Sequence, residues 1–271
     1  MPNNGRQLAL PMWNEGEGPA ADNDNISYTG NDSAKCGNNE SGPIQGALWP
    51  ELAQSTVVQQ EAQIEEQMME HRPETKREGR GEVPNCGQDL EALKEACHVC
   101  DKCSLKATCT HVVFGEGNPK AKIMFVGEGP GSDEDKQGRP FVGAAGQLLD
   151  KILASVGLSR DEVYITNVVK CRPPKNRMPN PDEILACSPY LDAQIKRISP
   201  SIIVCLGALA TKTLIDKDAK VTRIRGEWHE KDGILYMPTF HPAALLRDPS
   251  KKRPVWEDMK KVKEAFQNLQ A

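Results

Sequence analysis

The stretch at residues 122–153, KIMFVGEGPGSDEDKQGRPFVGAAGQLLDKIL, decides the fold. Its opening residues Ile123, Met124, Phe125 and Val126 form an unbroken apolar run, the pattern of a strand buried on both faces. Gly127-Glu128-Gly129-Pro130-Gly131 then supplies a turn in which chain reversal costs little. An acidic cluster and Phe141 follow, and then Leu148, Leu149, Ile152 and Leu153 recur at helical spacing. Open α/β sheets bind ligands where a strand ends in a glycine turn and hands over to a helix. The active site is therefore expected here.

Outward from this unit the pattern repeats. Apolar strands are predicted at residues 163–166, 201–206 and 233–237, the last ending at Pro238. Helices are predicted at 182–198, with Pro181 where a helix start tolerates proline, and at 208–215 and 255–269. A short helix at 88–97 leads into a group of cysteines. Strands alternating with helices predict a parallel sheet covered on both faces. The loops 127–141, 167–181 and 239–247 then leave the carboxyl ends of strands on one edge.

The net charge of −4 conceals a division. Residues 1–85 hold 6 Lys/Arg against 14 Asp/Glu, a balance of −8, while residues 86–271 hold 28 against 24, a balance of +4. The first segment is expected to be a mostly disordered acidic extension, with a marginal or partner-dependent helix at 50–70 and an incidental Cys36. Residues 86–271 are expected to be the folded domain. Its mild positive balance permits nucleic-acid binding without requiring it. No signal peptide and no apolar run of about 20 residues is present, so a cytoplasmic, non-membrane protein is expected.

Nine cysteines in such a chain point to metal or redox chemistry rather than to a disulfide framework. Cys97-x2-Cys100-x2-Cys103, with Cys109 nearby, faces Cys171 and Cys187 downstream. Four thiolates from two such pairs suit tetrahedral zinc or an iron–sulfur cluster, and spacing does not choose between them. The alternative to ligands is that Cys171 and Cys187 are merely buried apolar residues, and Cys205, inside an apolar strand, reads as core.

The segments VFGEGNPKAKIMFVGEGPGSDEDKQGRPFVGAAGQLLDKIL, YITNVVKCRPPKNRMPNPDEILAC, RGEW and MPTFHPAALLR occur in an order that resembles the family 4 uracil-DNA glycosylases, the iron–sulfur branch of that superfamily. The resemblance runs from about residue 97 to residue 269. It implies a three-layer α/β/α fold around a four-stranded parallel sheet. It also implies a [4Fe-4S] cluster on Cys100, Cys103, Cys171 and Cys187, leaving Cys97 outside the set. Cys109 stands where the family often has arginine.

The implied activity is hydrolysis of the N-glycosidic bond of deoxyuridine in single- or double-stranded DNA, leaving an abasic site. Asn167 matches the uracil-reading asparagine, Phe141 the aromatic that stacks on the flipped base, and His241 the histidine near uracil O2. Gly129 stands where better-known superfamily members place a water-positioning aspartate. Asn176, Glu128 and Glu134 match catalytically implicated positions. Leu245 or Leu246 would enter the helix as the base leaves it, with Arg247 and Lys251 (beside Lys252 and Arg253) on phosphates. No lysine holds an obvious Schiff-base position, so a monofunctional, monomeric enzyme is expected. The acidic extension is left with a possible partner of its own. A non-catalytic metal-cluster module that binds nucleic acid would need the cysteines but neither Asn167 nor His241. A phosphate-loop enzyme lacks its GxxxxGK[ST] motif.

Overall fold

The computed structural model describes residues 89–269. The acidic extension, with its expected helix at 50–70, Cys36 and the boundary near residue 85, lies outside them. The described chain begins with α1 (Leu90–His98) and continues through β1 (Glu116–Gly117), β2 (Ile123–Gly127), α2 (Ser132–Gln137), α3 (Ala144–Ser155), β3 (Tyr164–Asn167) and α4 (Pro181–Ile198). Then come β4 (Ile202–Leu206), α5 (Ala208–Leu214), α6 (Val221–Ile224), β5 (His229–Lys231), β6 (Ile234–Thr239), α7 (Pro242–Arg247) and α8 (Lys252–Asn268).

The strand order is β1-β3-β2-β4-β6-β5. The inner four are parallel, as expected, and β1 and β5 add an antiparallel pair at each edge. These two- and three-residue edges escaped sequence prediction because so short a run shows no periodicity. β6 also runs on through Pro238 to Thr239, past the expected stop. Pro238 pairs with Cys205 of β4, and on its other side β5 has already ended, so no ladder bond needs the missing N–H.

Alternation within the apolar strands builds two cores. Ile123 and Phe125 of β2, with Val204 and Leu206 of β4, face α3 and α8 through Leu149, Leu153, Met259 and Val262. Met124, Val126, Ile203 and Cys205 face α4 and α5 through Leu191, Ile198 and Leu209. Every residue of β2 and β4 is buried, at about 1.5–3 kcal/mol for each large apolar side chain. This rigid double-faced sheet carries the site loops on its carboxyl edge. Among the described residues no helix is long and apolar enough to cross a membrane.

Candidate active site

The three loops meet in a cavity of about 490 Å³. Glu128, Gly129, Glu134, Phe141, Asn167, Asn176 and His241 all line it, and Arg177 and Arg247 stand with them. The residues expected to read and hydrolyse the substrate are therefore brought together.

Asn167 ends β3, opposite Gly127 at the end of β2. It is 1 % exposed, and its carboxamide oxygen Oδ1 has no hydrogen-bond partner among the described residues. An unpaired buried acceptor costs about 1–3 kcal/mol, a cost a protein bears where a ligand will satisfy the group. Gly127 shapes the space in front of it. A Cβ built there would lie 2.4 Å from Asn167 Oδ1 and 2.5 Å from Phe141 Cζ. The slot between carboxamide and ring exists only because residue 127 has no side chain.

Phe141 holds its ring in place at a conformational cost. Its φ of 53° lies in the left-handed region, where a bulky residue is strained. Arg160 fixes it there, donating from Nη1 to the Phe141 carbonyl (3.0 Å) and from Nη2 to that of Pro140 (2.7 Å). Arg160 is itself paired with Glu116 of β1 and Asp150 of α3. Gly146 lets α3 approach, since a Cβ would fall 1.8 Å from the Phe141 carbonyl oxygen. The Phe141 and His241 rings are 5.6 Å apart, inclined by 31°.

His241 caps α7. Its Nδ1 accepts from the Ala243 N–H (3.1 Å), so the ring proton sits on Nε2. Burial and the nearby Arg247 hold its pKa down to about 4, against an opposing pull from Glu134. The imidazole is thus a neutral donor at physiological pH. β6 delivers it firmly: buried Asp258 accepts from Thr239 Oγ1 (2.6 Å) and pairs with Arg225 of the RGEW motif.

The two acidic candidates differ. Glu134 is fully engaged, accepting from Gly131 N–H through Oε2 (3.1 Å) and from Val142 and Gly143 N–H through Oε1 (2.9 Å each). It staples both ends of the loop that carries Phe141. Glu128 is half-buried in the cavity, and desolvation raises its pKa above the usual carboxylate range. Asn176 has φ 56° and accepts from Arg172 Nε through Oδ1 (2.8 Å).

The expected DNA contacts divide. Leu245 is 1 % exposed and packs in the core with α3 and α8, so it cannot serve as a wedge; Leu246 is 50 % exposed. Successive residues of an α-helix point about 100° apart, so α7 buries Leu245 and exposes Leu246, which the sequence did not reveal for so short a helix. Arg247 is exposed at the cavity. Lys251 turns inward, with Nζ 2.7 Å from Asp248 Oδ2 and 5.7 Å from the centre of the Phe240 ring.

Residues 114–265 match the family described as the uracil DNA glycosylase superfamily. The type-4 uracil-DNA glycosylase of Sulfurisphaera tokodaii is 53 % identical over 184 residues, covering 65 % of this chain and 84 % of that protein. That of Thermotoga maritima is 49 % identical over 180 residues, covering 64 % and 93 %. The chain belongs to the type-4 uracil-DNA glycosylases. A type-5 uracil-DNA glycosylase of Pyrobaculum aerophilum is more distant, at 34 % over 146 residues, covering 48 % and 64 %.

In this type-4 glycosylase, Cys100, Cys103, Cys171 and Cys187 border one small cavity together with Cys97. Among the described residues no three His, Cys, Asp or Glu side chains converge closely enough for a single metal ion. Thiols set around a cavity suit a cluster instead, in which each thiolate binds a separate iron. The rest of the cavity fits as well. Leu105, Val169 and Ala186 line it, and Lys170 N–H donates to Cys187 Sγ (3.3 Å). Burial raises the thiol pKa values of Cys103, Cys171 and Cys187, and that of Cys97 to about 12, so deprotonation would accompany metal binding.

The sequence reading missed two ties between this cavity and the active site. Buried Glu183 accepts from Ser104 Oγ (3.0 Å), beside Cys103, and pairs with Arg177 beside Asn176. Arg177 and Asn180 N–H hold its pKa down to about 2. Lys170, next to Cys171, donates through Nζ to the Asn167 carbonyl (2.6 Å) and to Thr166 Oγ1 (2.7 Å).

Proposed function

We propose that this chain hydrolyses the N-glycosidic bond of deoxyuridine in DNA and releases uracil. The observation that carries the reading is the buried Oδ1 of Asn167, unpartnered among the described residues and set beside Phe141 in the cavity. Oδ1 accepts from uracil N3–H while the amide nitrogen donates to O4. Cytosine presents the opposite polarity at both atoms and leaves the buried oxygen unsatisfied. The target nucleotide enters extruded from its stack, with its face on Phe141, a contact of about 1–3 kcal/mol.

Cleavage breaks the C1′–N1 bond, and the electron pair leaves with uracil. Nε2–H of neutral His241 donates to O2 as negative charge grows there, an interaction stronger in the transition state than in the ground state. The oxygen of water bonds to C1′ as one of its protons is lost to solvent, and the departing uracil anion takes up a proton from solvent, so the base is released neutral. Glu128, desolvated and without an ion pair among the described residues, faces the water and the cationic sugar, with Asn176 beside it. Glu134 positions the Phe141 loop. Among the described residues that line the cavity none is a lysine that could form a Schiff base, so the product is read as an intact strand with an abasic site.

Arg177 and Arg247 at the cavity, with Leu246 on α7, form the DNA-facing rim. Cys100, Cys103, Cys171 and Cys187 would hold a [4Fe-4S] cluster. It would crosslink the segment after α1, the loop after β3 and helix α4, since glycosidic hydrolysis moves no electrons. The test is incubation with uracil-containing single- and double-stranded oligonucleotides. Free uracil with strand breaks only after alkali is expected; DNA binding without base release would refute the reading and favour a non-catalytic module.

A further inference from the structure

Lys170 is 1 % exposed, and no carboxylate pairs with it among the described residues. Its ammonium is spent on two oxygens, the Asn167 carbonyl at 2.6 Å and Thr166 Oγ1 at 2.7 Å. The Thr166 hydroxyl donates to the Phe114 carbonyl (2.8 Å), tying β3 to the segment before β1. The backbone of Lys170 is also fixed, its carbonyl accepting from Val113 N–H (2.8 Å) and its N–H donating to Cys187 Sγ (3.3 Å). Val168 and Val169 N–H donate to the carbonyls of Gly127 and Glu128 (2.9 and 3.2 Å). Residues 166–170 are thus clamped from three sides, with the ammonium closing the turn that carries Asn167.

A buried ammonium is costly unless negative charge stands near it. Here no carboxylate does so among the described residues, and the ammonium is held by two oxygen acceptors instead. A flexible, solvated lysine would be far less costly as a surface residue. Burying one against the peptide of Asn167 makes sense if the rigidity of that peptide matters. The carboxamide must meet a base edge within a few tenths of an ångström, and a shift of about 1 Å costs on the order of 100-fold.

The geometry points to Lys170 as a positioning residue for uracil recognition, acting through the Asn167 peptide. This rests on the glycosylase reading above. The two fail differently: an inactive wild-type protein refutes that reading, whereas an active wild type with an indifferent Lys170 refutes this one.

The test is a double-mutant cycle on the full chain, using Lys170→Met, Asn167→Ala and the pair, with single-turnover uracil release from a uracil-containing oligonucleotide. Lys170→Met is expected to lower the rate 30- to 100-fold with DNA affinity within threefold of wild type. In the Asn167→Ala background it is expected to cost less than threefold, because the side chain through which it acts is gone. Iron content per chain and thermal melting are read on every variant. Equal losses in both backgrounds, a loss that follows the iron content, or a Lys170→Met rate within threefold of wild type would each overturn the proposal. If Lys170→Met yields no folded protein, Thr166→Val, near-constant in volume, removes one of the ammonium's two oxygens and goes through the same cycle. A three- to tenfold loss that vanishes in the Asn167→Ala background supports the proposal, and a loss that persists there overturns it.

Discussion

Replacing Gly127 with alanine tests the recognition slot without touching any group that does chemistry. The new Cβ would lie 2.4 Å from Asn167 Oδ1 and 2.5 Å from Phe141 Cζ. Ordinary contact begins near 3.4 Å, so each side chain must retreat by about 1 Å, or the backbone must move as much. Both atoms are the ends of side chains beside a cavity, so the fold tolerates the change at about 1–3 kcal/mol of overpacking. Recognition does not: a 1 Å displacement of both the stacking ring and the reading amide is expected to reduce kcat/KM for uracil release at least 100-fold. Gly129→Ala provides the comparison, since its Cβ meets only a Val169 methyl at 2.8 Å and Pro173 at 3.7 Å. A smaller loss is expected there. The assay is alkali-developed cleavage of an end-labelled uracil oligonucleotide, with thermal melting run alongside. A folded Gly127→Ala protein with kcat/KM within threefold of wild type would refute the slot as described.

Cys171→Ser is expected to lower bound iron and visible absorbance with a large loss of thermal stability; a colourless wild type with full activity would remove the cluster from the account. His241 titrates from about 6.5 unfolded to about 4 folded, so the unfolded state binds the extra proton between those values and stability rises with pH across that window. Wild type is therefore expected to gain about 3 kcal/mol more than His241→Gln between pH 4 and pH 7 in urea melts, and parallel curves would contradict the assignment. Leu246→Ala is expected to slow uracil release from duplex DNA several-fold and leave single-stranded substrate unchanged. Equal losses on both substrates would place Leu246 outside the wedge role.

The parts of the fold that could be read in advance are those whose signal is local. The run at Ile123–Gly127 is apolar at both parities because β2 is covered on both faces, and its glycine exit sits at the sheet edge where the cavity forms. Asn167, Phe141 and His241 were legible through their motifs. Residues that act through distant partners were not. Glu116 and Arg160 lie 44 positions apart, and Ser104 and Glu183 lie 79 apart. Nothing in either neighbourhood signals that they meet. Nothing in the sequence around Lys170 signals that its ammonium lies against the Asn167 carbonyl. The strain at Phe141 was equally silent, because left-handed backbone at a non-glycine residue is imposed by surrounding contacts rather than by the residue itself.

The central claim is that the buried Asn167 oxygen is an acceptor held ready for uracil N3–H. Single-turnover release of free base by wild type and Asn167→Ala, from matched oligonucleotides carrying uracil or cytosine at one position, measures it most directly. Wild type should release uracil and leave cytosine, and Asn167→Ala should lose most uracil release while still binding DNA. Uracil release by Asn167→Ala within threefold of wild type would contradict the account.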